Sequence, residues 1–182
     1  MIRHVLLAVL LLAAAATLLA DPNGPVPASK VLVATYRGTT QVVNPGVLIC
    51  EGGQPTGLPA PMCSPGTKRI LIRNMIQEGA SQDVTGTAAA MFRGKSTIIT
   101  QCNLDDKYYG FCWGNLEFVV PEMGGKWEGA FSGIIDFAVY ALSVTGDACG
   151  YGGKLEGLRM KFEEVWPGGG VPSTILAKVL AQ

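Results

Sequence analysis

The stretch GKWEGAFSG, residues 125–133, carries the reading of the fold. A strand sends alternate residues to opposite faces, so Gly125, Trp127, Gly129, Phe131 and Gly133 fall on one side and Lys126, Glu128, Ala130 and Ser132 on the other. Glycines set between large rings let a strand bend sharply, and rings from neighbouring strands can cover the bare backbone. Such a face suits a closed, curved sheet better than a flat sandwich. The expected fold class is all-β, a small antiparallel β-barrel.

Downstream, GYGGKLEGLRMKFEEVW (150–166) repeats the style. Its even positions Glu156, Leu158, Met160 and Phe162 give an inner face, and Gly157, Arg159, Lys161 and Glu163 an outer one. An inner Glu156 is either paired near the rim or part of a ligand site, because burying a lone carboxylate is costly. The segment between, 137–145, is apolar on both faces: Phe137, Val139 and Ala141 against Ala138, Tyr140, Leu142 and Val144. A two-faced strand calls for a cover, either a C-terminal helix or a second copy of the chain.

Further out, β-branched and aromatic runs alternate with Gly, Pro and Asn at the spacing of all-β domains. Strands are expected at 31–37, 41–49, 68–76, 83–93, 95–102, 111–120, 125–133, 137–145 and 154–163. About eight of these should be real and run as a meander, since Asn44-Pro45-Gly46 interrupts the second and Gly86 with Ala88 to Ala90 weakens the fourth. After the Gly/Pro break at 167–172, STILAKVLAQ offers Ser173 as an N-cap and places Ile175, Leu176, Val179 and Leu180 on one helical face. A short C-terminal helix is the expectation there. The barrel domain is then 30–166, with 167–182 as its tail.

Residues 1–20, MIRHVLLAVLLLAAAATLLA, have a basic start at Arg3, an apolar run and small residues before Asp21, the pattern of a cleaved secretory signal. Cleavage is expected after Ala20 or Ala16, with 21–29 an extended leader into the domain and the product secreted or periplasmic. The apolar run is shorter than the roughly 20 residues a spanning helix needs, so no membrane association is expected after cleavage.

Five cysteines and no C-x-x-C pair fit disulfides in an oxidising compartment better than zinc. Spacing suggests Cys50 with Cys63 and Cys102 with Cys112. Cys149 is left over and is read as a buried small hydrophobe, at the barrel end shared with Cys50 and Cys63.

Charged residues are only 15% of the chain. Removing Arg3 leaves 13 basic against 14 acidic residues, so no field attracts nucleic acid. His4, the only histidine, lies in the signal, which excludes a Ser-His-Asp triad, a Cys-His pair and imidazole metal ligation from the processed chain. Asp105 and Asp106 supply too few oxygens for calcium and read as a solvated turn. No cofactor is implied and no catalytic residue is assigned.

The order of WEGAFSG, an apolar strand and a glycine-rich turn into GKLEGLRMKF, within residues 86–164, resembles exported bacterial barrels of the allene oxide cyclase and dirigent-like type. The resemblance implies a small barrel with a central apolar cavity, often oligomeric, whose enzyme members cyclise or steer reactive small molecules. None of that family's catalytic residues matches a position here. Three functions stay open: a module binding a small apolar ligand, an isomerase or cyclase using Glu156 or Tyr140, and a structural homo-oligomer. Candidate lining residues are Trp127, Phe131, Tyr140, Glu156, Leu158, Met160 and Phe162.

Overall fold

The structure, a computed structural model, describes residues 31–56, 62–139, 141–167 and 173–180. The expected signal, its cleavage sites, the leader, Tyr140 and the core of the Gly/Pro break therefore lie outside the described residues. The strands are β1 (Val31–Asn44), β2 (Val47–Glu51), β3 (Pro55–Thr56), β4 (Met62–Cys63), β5 (Arg69–Thr85) and β6 (Lys95–Leu104). They continue with β7 (Tyr109–Val120), β8 (Gly125–Asp136), β9 (Ala141–Tyr151), β10 (Arg159–Trp166) and β11 (Ser173–Leu180).

Strands β5 to β11 and β1 form an eight-stranded antiparallel barrel, closed where β1 pairs with both β11 and β5. The expected barrel is present, and the glycine and aromatic code of β8 explains its curvature. Following the strand pairing, Phe162 faces Gly146, Gly146 faces Phe131, and Phe131 faces Gly114. Large rings alternate with bare backbone around this inner tier. A Cβ on Gly146 would run into the Phe162 ring, and one on Gly114 would come within 2.8 Å of the Phe131 ring.

Four local expectations are corrected. The C-terminal segment is strand β11: Ser173, Ile175, Ala177 and Val179 alternate inward and are buried. Its apolar residues satisfy helical and strand periods alike, and the free edges of β1 and β10 decide for the strand, because pairing there satisfies backbone groups on both sides. Residues 137–139 form a turn, and β9 begins at Ala141 with Leu142 and Val144 directed inward and Ser143 and Thr145 exposed. Strand β9 alternates normally, so the two-faced strand that called for a cover is absent.

The third correction concerns β5, where strands expected at 68–76 and 83–93 share one continuous element of 17 residues. A bulge between Ile72 and Met75, with Asn74 at φ 55°, changes which parity faces inward: Ile70 is buried before it and Met75 after it. Arg73 holds the bulge by donating to the carbonyls of Ile72 and Cys102 and to Asn103 Oδ1. Residues 89–92 then leave the sheet as a short 3-10 turn. The fourth follows from the third. With one strand in place of two, Cys50 and Cys63 lie at the Cys102–Cys112 end of the barrel, and Cys149 is exposed on β9, neither buried nor near that pair.

Both disulfides expected from spacing are present, Cys50–Cys63 and Cys102–Cys112. They are compatible with an extracellular or periplasmic location. Among the described residues no helix is long and apolar enough to cross a membrane.

Candidate functional site

The two ends of the barrel are built differently. At one end the 3-10 turn inserts Phe92, which stacks on Trp127 with ring centroids 5.8 Å apart and on Tyr36 at 5.5 Å. The Trp127 indole N–H donates to the Met91 carbonyl at 2.9 Å, so the polar edge of the ring is satisfied while its body is fully buried. Val120, Leu155 and Val179 complete this plug.

Toward the other end the interior holds a cavity of about 420 Å³. Tyr36, Phe118, Phe131 and Phe162 line its deeper part, and these rings also pack on the plug cluster. Ile135, Phe137 and Leu142 line it toward the Cys102–Cys112 end. Strand β1 runs past the end of β11 at the Gly38–Ser173 pair, and the exposed Thr39 and Thr40 line the cavity beyond that point.

The walls carry few ionisable groups. Among the described lining residues these are Tyr36 and Glu164, with no lysine, arginine or histidine. Glu164 pairs in register with Val144 on one side and Ile175 on the other, both buried and apolar. Burial pushes its carboxyl above the usual carboxylate range, and a hydrogen bond with Ser173 partly offsets this. The Ser173 hydroxyl also reaches the Gly38 carbonyl, at 3.4 Å. Burial raises the Tyr36 phenol well above its ordinary range, and the charge of Glu164 adds to that. Gln77 and Thr100, joined by a 3.1 Å hydrogen bond, form a second polar spot on the wall.

The expected lining residues divide. Phe131 and Phe162 line the cavity. Trp127 belongs to the plug, Met160 is buried in the same cluster, and Leu158 packs against it from the loop before β10. Glu156 is not on the inner face: β10 starts only at Arg159, and Glu156 is exposed in the preceding turn, where its carboxylate accepts from the Gly152 N–H. Tyr140 lies outside the described residues. Among the residues missed are Glu164 and Trp166, which continue the even-numbered inner face past Phe162, Ser173, which opens β11, and Tyr36 and Phe118 of the deeper wall. Extending the alternation by two steps would have found the first two. In the loop beyond β6, the Asp105 carboxylate accepts from the backbone of Lys107 and Tyr109, a turn-forming role.

No family model, curated protein or solved structure matches the chain.

Proposed function

We propose that the protein binds a small, largely apolar molecule inside the barrel. The observation that carries this reading is the cavity of about 420 Å³, walled by aromatic and aliphatic side chains with a few polar groups. That size and chemistry fall in the range of small-molecule sites, about 300–1,000 Å³. The resemblance of residues 86–164 to cyclase and dirigent-like barrels points the same way, since such barrels enclose a central apolar cavity. A second reading, an isomerase or cyclase, is favoured by the placement of Glu164, a carboxyl able to take and return a proton, and the Tyr36 phenol, a hydrogen-bond donor, on one cavity wall.

Titration of the oxidised protein with the neutral fluorophore phenylnaphthylamine tests the binding reading. Saturable enhancement is expected in the unmodified protein, and loss of it in Ile98→Trp, which fills space from the β6 wall. Circular dichroism checks that the variant folds. No saturable enhancement in the unmodified protein, or full binding by a folded Ile98→Trp, would contradict the reading.

A further inference from the structure

The cavity has a charge asymmetry that apolar binding alone does not use. Glu164, the one carboxyl group among the described lining residues, sits among apolar register neighbours, and the described wall offers no cation to pair with it. The basic residues of the adjoining strands, Arg159 and Lys161 on β10, Lys178 on β11 and Arg37 on β1, are all exposed and outside that lining. A carboxylate has about four acceptor sites, and Ser173 brings a single hydroxyl hydrogen that also reaches the Gly38 carbonyl. A half-buried carboxylate without a cation carries a desolvation cost, and a ligand cation placed beside it offsets part of that cost. Phe162 and Trp166 precede and follow Glu164 on the inner face of β10, and aromatic rings add attraction for an ammonium group.

We infer that the cavity selects a hydrophobic amine, bound as its cation with the ammonium at Glu164 and the apolar body along the aromatic wall. This rests on the binding reading above and names its ligand class. An anionic amphiphile of the same length meets the Glu164 charge and is rejected. A neutral one gains only apolar contact.

The test displaces phenylnaphthylamine from the oxidised full chain with decylamine, decanol and decanoate at mildly alkaline pH. Decylamine should compete at a concentration at least about tenfold lower than decanol, with decanoate weakest, as expected for one charge-assisted hydrogen bond. In Glu164→Gln the ratio of amine to alcohol affinity should fall to near one. That ratio, read within one protein, is not moved by a general change in cavity fit.

Should Glu164→Gln fail to fold, acidification of the unmodified protein gives a second readout, with the amine advantage vanishing as Glu164 protonates. Among the described residues the groups facing Glu164 are Tyr36 and Gly38 on β1, Ser173 and Ile175 on β11, Val144 on β9, and Phe162 and Trp166 on β10. Of these only Tyr36 titrates, and it stays neutral through the acid range. Equal affinity for decylamine and decanol, or preference for decanoate, would overturn the amine assignment while leaving apolar binding intact. Failure of the fluorophore itself to bind would instead overturn the binding reading.

Discussion

The plugged end and the hollow end of this barrel are held together by different means. At the plugged end Phe92, Trp127, Tyr36 and Phe118 form one aromatic cluster, with every neighbouring ring pair within 6.4 Å. Toward the hollow end the buried cluster is smaller, centred on Ile70, Leu104 and Ile135, and includes the Cys102–Cys112 disulfide; Cys63, tied to Cys50, packs against it. A wall that encloses space has fewer side-chain contacts across the interior to stabilise it. Covalent links between neighbouring strands and loops substitute for that packing, and the Glu164 carboxyl sits in this hollow although burial disfavours its charged form.

The largest effect expected from this contrast is on the plug. Phe92→Ala should destabilise the protein by about 3–5 kcal/mol, the range for truncating a buried aromatic residue, as read by urea denaturation. A loss below about 1 kcal/mol would mean that the aromatic stack is not what holds that end. Next comes the paired replacement Cys102→Ser with Cys112→Ser, expected to cost about 2–4 kcal/mol. Hydrogen exchange should rise first in β6 and β7 near the replaced pair, not around Trp127. Uniform loss of protection would erase the distinction between the two ends.

The smallest effect is the pH dependence from Glu164. Its folded-state pKa is raised above the unfolded value, so the native state binds the proton more tightly. This contribution makes stability fall as pH rises from the ordinary carboxylate range through the raised value, and it is relieved on acidification. Glu164→Gln should remove that slope and stabilise the protein on the alkaline side of the window. Denaturation midpoints measured across the acid range check the sign, and an unchanged slope in the variant would place Glu164 in water.

How much of this was legible depended on whether a local pattern had one solution. GKWEGAFSG had one, because glycine alternating with Trp127 and Phe131 makes sense only on the inside of a bent strand. The cysteine pairs were legible because Cys102 and Cys112 oppose each other across a short loop. STILAKVL had two solutions, and the choice lay in the distant strands β1 and β10 that border it. The bulge at Arg73–Asn74 was not legible, since its partners Cys102, Asn103 and Gln101 are far away in sequence. Strand β10 runs from Arg159 to Trp166, so a face counted from the preceding turn and ended at residue 163 takes in Glu156 and omits Glu164. The site thus depended on strand boundaries, which period alone does not set.

The measurement that most directly tests a barrel plugged at one end and ligand-binding at the other is backbone NMR of the oxidised protein titrated with decylamine. Shifts are predicted at Thr39, Thr100, Val144, Glu164 and Trp166, with Val120, Trp127 and Leu155 unmoved. Shifts centred on the Trp127 end, or none at a saturating concentration, would contradict the account.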